Sequence, residues 1–96
     1  MRCFAEMAWR VEFDERAARE FDRLDPPVKK RIGSFLKNRI AAADDPRLVG
    51  NVKALSGEFA GCFRWRVADY RIVARLRDDQ LLVLVLRVRH RKHAYR

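Results

Sequence analysis

Cysteine is scarce in this 96-residue chain and poorly placed for chemistry. Cys3 and Cys62 form no CxxC pair and have no Cys or His at ligand spacing, which argues against a disulfide framework and a structural zinc site. Reduced thiols are expected, Cys62 packed. Long apolar runs are missing as well. The longest, "LLVLVL" at 81–86, falls far short of the roughly 18 residues that cross a bilayer, and the N-terminus has no signal-peptide apolar region. A soluble protein in the cytoplasm, with no membrane partner, is expected. There is no GxxxxGK[ST] phosphate loop, no GxGxxG, no HExxH, no nucleophile elbow and no Ser/His/Asp set. The two glycines of "SGEFAG" lead into a strand and read as turn chemistry. No cofactor and no metal are expected.

Acidic residues run out in the last third. Residues 1–63 carry 12 basic and 10 acidic side chains, whereas residues 64–96 carry 10 and 3, so most of the net charge of +9 lies in the second part. Such a surface attracts polyanions, chiefly nucleic acid, and also acidic proteins. Charge alone does not choose between them.

What is present fits one domain over residues 1–96, with a single core. The opening "MRCFAE" has no clear period, so residues 1–6 are expected to be disordered or to precede a natural start at Met7. Trp9, Val11 and Phe13 then alternate with polar residues as a strand. Asp14 can cap a helix bearing Ala17, Phe21 and Leu24 on one face; "DPP" at 25–27 ends it and starts the next, with Asp25 as N-cap. The second helix carries Val28, Ile32, Phe35, Leu36, Ile40 and Ala43 in one stripe, and "DDP" at 44–46 closes it. Three strand signals follow: "FRWRV", "DYRIVARL" and "LLVLVLRV", the last apolar on both faces through residue 86 and therefore interior to the sheet. The expected fold is α+β in the order β-α-α-β-β-β. An antiparallel helix pair packs on one face of a small, mostly antiparallel sheet.

Alternation gives the arginines a direction. If Phe63, Trp65 and Val67 face the helices, Arg64 and Arg66 project from the other face, about 7 Å apart. Arg71 or Arg75 should neighbour them on the next strand. Taken singly, such arginines are ordinary solvated charges. As a set they repel one another by a few tenths of a kcal/mol, roughly, per pair unless an anion sits among them. In the ending "RVRHRKHAYR", cations Arg91 and Lys92 would favour the phenolate of Tyr95, and His90 and His93 titrate near neutral pH. No Asp or Glu lies in that segment to orient a histidine base.

"VEFDERAAREFDRLD", "ALSGEFAGCFRWRVADYRIVAR" and "VLVLRVRHRKHAYR" together resemble the RelE/ParE superfamily of toxins from type II toxin–antitoxin systems, and within it the RelE branch. The resemblance implies a RelE-like fold and a ribosome-dependent endoribonuclease, an mRNA interferase that cuts messenger RNA in the ribosomal A site and so blocks translation. It implies a cognate antitoxin that wraps an extended segment around the toxin, the complex binding operator DNA through the antitoxin. By likeness of position, Arg64, Arg66, Arg71, Arg91 and Tyr95 are the expected catalytic set. Arg75, Arg89, His90, Lys92 and His93 are expected to bind RNA. The implied reaction is attack of a 2′-hydroxyl on its own adjacent phosphate, without a metal, with arginines taking the developing charge.

Three departures from the family pattern stand out. Arg89 occupies a position where glycine is common, Ala74 replaces an aromatic, and both members of the first basic pair are arginine, which cannot act as a base. Proton transfer therefore falls to Tyr95 or a histidine. The alternatives are a ParE-like toxin that inhibits DNA gyrase, which usually lacks the terminal basic-plus-tyrosine set, and a catalytically silent module that binds an antitoxin.

Overall fold

Helix starts and strand alternation place most elements of the computed structural model, which describes residues 2–93. Strand β2 (Arg10–Phe13) buries Val11 and Phe13, preceded by buried Trp9. Asp14 then caps α1 (Glu15–Asp22), its carboxylate accepting from the Ala17 N–H at 2.8 Å. Asp25 holds the N-cap position of α2 (Pro26–Phe35) with no side-chain capping bond, and the two prolines fill the first turn, where a missing N–H costs nothing.

The second helix does not keep its 3.6-residue period. Leu36–Ile40 form a π-helical turn in which the Ala41 N–H donates to the Leu36 carbonyl at 2.9 Å. That wider turn brings Ala41 into the core beside Ile40, whereas Ala43, expected on the stripe, is half-buried. The exit is clamped by both tryptophans. Trp9 Nε1 donates to the Asp44 carbonyl and Trp65 Nε1 to the Pro46 carbonyl, each at 3.1 Å.

Besides β2, the described residues form β1 (Arg2–Glu6), β3 (Val52–Ala54), β4 (Cys62–Val67), β5 (Tyr70–Arg77) and β6 (Leu82–His90). Among the described residues these make one six-stranded sheet in the order β1-β2-β6-β5-β4-β3. All pairs are antiparallel except β2 with β6. As expected, β6 is interior and the architecture is two helices on one face of a mostly antiparallel sheet. Cys62 is buried and Cys3 exposed, both unbridged.

The expected order gains two strands. Within residues 1–6, expected to be disordered or to precede a natural start at Met7, Arg2–Glu6 pair with β2. Their anchor is Phe4, whose ring lies 5.2 Å from that of Phe13 and 5.3 Å from that of Phe21. Gly33 makes room for it, since a Cβ there would stand 3.2 Å from Phe4 Cζ. One anchoring side chain in five residues gives no period to read. The other addition, β3, is three residues long at the far edge, within a stretch expected to be loop.

Candidate functional site

The helix-free face of the sheet carries cations in two cross-strand rows. Arg66 pairs with Arg71 and Arg71 with Arg89; one step along, Lys53 pairs with Arg64, Arg64 with Val73, and Val73 with Arg87. Strands lie about 4.8 Å apart and same-face residues about 7 Å apart along a strand. Six positive side chains therefore surround Val73. Like charges directly opposite one another destabilise a sheet, so a grid of this kind is held against its own repulsion.

Five of the six line a cleft of about 560 Å³: Lys53, Arg64, Arg71, Arg87 and Arg89. Ala54, Leu55, Ser56, Glu58 and Phe59, around a 3₁₀ turn at Gly57–Phe59, form its other wall. Glu58 is the one acid in that lining. A carboxylate from the first helix stands behind it: Glu20 accepts two bonds from Arg87 Nε, at 3.3 and 3.2 Å, and one from Arg87 Nη2 at 2.9 Å. Guanidinium groups on a shared face can hold a phosphate by paired, charge-assisted hydrogen bonds.

The residues singled out from sequence distribute unevenly. Arg64, Arg71 and Arg89 meet in the cleft, and Arg89 pairs directly with Arg71. Arg66 shares their face by register but lines a separate depression with Arg31 and Arg39. Arg75 lies farther along β5, opposite Cys62 and Leu84, and does not line the cleft. His90 pairs with Tyr70, their rings edge to face at 5.2 Å, on the side of the sheet that carries the core; its Nδ1 accepts from the Lys92 N–H at 3.2 Å. Arg91 and Lys92 are exposed in a 3₁₀ turn, the Arg91 N–H bonded to the Asp69 carbonyl at 2.7 Å and its Nε 3.8 Å from Asp69 Oδ1. Tyr95 lies outside the described residues, as does the side chain of His93.

Sequence reasoning missed Arg87 and Lys53. The signal for Arg87 was the alternation Arg87-Val88-Arg89, which marks both arginines as facing one way. Lys53 had only "VKA" to mark it. Among the described residues no group of His, Cys, Asp and Glu is gathered to hold a metal ion, and no helix is long and apolar enough to cross a membrane.

The chain belongs to the RelE/ParE superfamily of type II toxin–antitoxin toxins. The sequence profile of the family described as ParE toxin of type II toxin–antitoxin system, parDE, matches residues 11–95. Toxin RelG of Mycobacterium tuberculosis is 33% identical over 90 residues, covering 94% of this chain and 99% of that protein. The mRNA interferase toxin RelE of Escherichia coli is 29% identical over 90 residues, 92% of this chain and 88% of its own. Among solved structures, the toxin–antitoxin complex RelBE2 of M. tuberculosis superposes with a TM-score of 0.74 at 30% identity, covering 94% of this chain and 93% of that one. The archaeal RelE–RelB complex of Pyrococcus horikoshii gives 0.73 at 22% identity, over 92% of this chain and all 100% of that chain, and bears on the fold alone.

Proposed function

We propose that this toxin is a ribosome-dependent endoribonuclease that cuts messenger RNA in the decoding site without a metal ion. One observation carries the reading: Arg64, Arg71, Arg87 and Arg89 converge with Lys53 on one cleft of the open face. The name of the E. coli relative, an mRNA interferase, supports it. In this reading an RNA phosphate sits among the arginines and its own 2′-hydroxyl attacks it, leaving a cyclic phosphate or its hydrolysed form and a 5′-hydroxyl. Charge builds on the non-bridging oxygens in that step, and guanidinium donors fixed on strands stabilise it without reorganising. The need for a 2′-hydroxyl makes RNA, not DNA, the substrate. Phe59 in the cleft wall offers a half-buried ring on which a base can stack.

Arginine cannot take the proton from the 2′-hydroxyl. With His90 packed against Tyr70, that task falls to Tyr95 or His93, and Arg91 supports the leaving oxygen or the phosphate. The toxin works as one domain in the cytoplasm and is held inactive by a cognate antitoxin, as the RelB partners in the structures of its relatives suggest. Operator DNA is then bound through the antitoxin.

The matched profile carries the ParE name, which keeps gyrase inhibition as the second reading. A translating extract with a defined message separates the two. Mapped 5′ ends are expected at codon-positioned cuts that fade by about a hundredfold in Arg71→Ala and also fade in Tyr95→Phe. Intact messages with trapped DNA–gyrase complexes would establish the second reading instead; no effect on either target would leave an antitoxin-binding module.

A further inference from the structure

Strict alternation along β6 would point residues 83, 85, 87 and 89 the same way and carry Arg87 and Arg89 into the core beside Val83 and Val85. The register prevents it. Val73 pairs with Arg87 but Ala74 pairs with Val85, so Leu86 is the inserted residue of a β-bulge. Beyond it Val88 faces the core at 3% exposure, and Arg87 and Arg89 line the cleft.

The bulge sits where β2 stops supporting β6. Their last pair is Phe13 with Val85, and the Asp14 N–H reaches the Val85 carbonyl at 3.0 Å. Further along, the edge N–H groups of β6 need other acceptors. Glu20 supplies one from α1: its Oε1 accepts from the Val88 N–H at 2.8 Å while its carboxylate holds Arg87. Arg89 Nε stands 3.9 Å from the same carboxylate. One side chain thus meets all three residues that follow the bulge, bonding Arg87 and Val88 and standing near Arg89.

We infer that Glu20 is a positioning residue for the RNA cleft. It pins the bulge that turns Arg87 and Arg89 outward, and it holds the Arg87 guanidinium back from RNA. Donors that Arg87 gives to that carboxylate are not offered to a phosphate, which costs affinity. In exchange the arginines are held in one register, so the cleft gives up binding strength for order. The effect on cleavage rests on the nuclease reading above; the effect on binding does not.

Glu20→Gln tests both, because it removes the charge and keeps an oxygen for the Val88 N–H. On a single-stranded RNA made non-cleavable by 2′-O-methyl groups, the variant is expected to bind more tightly than wild type. The slope of log affinity against log salt should steepen by about 0.7, one added phosphate contact, so that the gain shrinks about threefold between about 50 and 200 mM salt. In the translating extract the cleavage rate at saturating toxin is expected to fall about tenfold or more without a rise in KM.

In an Arg87→Ala background Glu20→Gln is expected to change binding no further. A purely structural role predicts the reverse signature, a lower melting temperature with weaker binding. Unchanged or weaker RNA binding by Glu20→Gln overturns the inference, and so does a gain that persists without Arg87. Wild-type protein that cuts no message defeats the nuclease reading and leaves the binding comparison to decide the role of Glu20. Wild type and variant that cut equally fast overturn the positioning role.

Discussion

The two ends of β5 treat arginine in opposite ways. At one end Arg47 reaches from the loop after α2 to Asp78, bonds Asp45 at 3.2 Å and lies over the Phe63 ring at 5.5 Å. Its guanidinium pKa is raised above the ordinary value, first by the hydrogen bond to Asp78 and then by that to Asp45. At the other end four arginines and a lysine share a cleft lining with Glu58, and Glu20 is braced behind Arg87. The fold can give an arginine two carboxylates where a loop must be tied down. Where it gathers five cations instead, like charges face one another across neighbouring strands at a cost in stability.

That contrast is best probed first from the packed side. Trp65→Ala empties a fully buried site and cuts the bond to the Pro46 carbonyl. A loss of about 3–5 kcal/mol in chemical denaturation is expected, with RNA binding lost only because the sheet loosens. Next come two arginines with opposite expected outcomes. Arg47→Ala should lower stability by up to about 1 kcal/mol, discounted because the group is partly exposed, and leave RNA affinity as it was. Arg89→Ala should leave the melting temperature unchanged or raise it, and should make the salt slope of RNA binding shallower by about 0.7. If Arg47→Ala weakened RNA binding, or Arg89→Ala cost more stability than Arg47→Ala, the two ends would not differ as described. The smallest effect is expected from Lys53→Ala, a point charge on the exposed edge strand: about threefold weaker binding at low salt, with cut positions unchanged.

How much of this the sequence disclosed depends on how many side chains repeat a pattern. Trp9, Val11 and Phe13 mark one strand and Phe63, Trp65 and Val67 another, with Asp14 and Pro26-Pro27 punctuating the helices, so class, layer and the interior place of β6 were legible. Arg64 and Arg71 could be assigned to one face for the same reason. The short edges were not legible, because β1 rests on Phe4 and β3 offers only Val52-Lys53-Ala54. Nor was the π-helical turn, which shows only in the bond from Ala41 to Leu36.

The deeper obstacle was Leu86. A run that is apolar on both faces hides its own parity, and a one-residue bulge within it reverses the side of everything downstream. That is why the face taken by Arg87 and Arg89 could not be read from the strand itself, and His90, expected among the RNA ligands, lies on the Tyr70 side. Arg89 was the departure that most needed explaining, since glycine is common there. It fills the end of the row begun by Arg66 and Arg71, its Nε approaching Glu20.

The parallel pairing of β2 with β6 has a temporal consequence. Arg10 lies beside Leu82, most of the chain's length away, and β6 separates the N-terminal hairpin from the β3–β5 meander. During synthesis the first two strands, both helices and β3 to β5 all emerge before the strand that joins them. Arg87 and Arg89 arrive with it, so the cleft is assembled last, by a long-range closure of the slow-folding kind. A nascent toxin therefore carries its helices well before it carries its cationic grid.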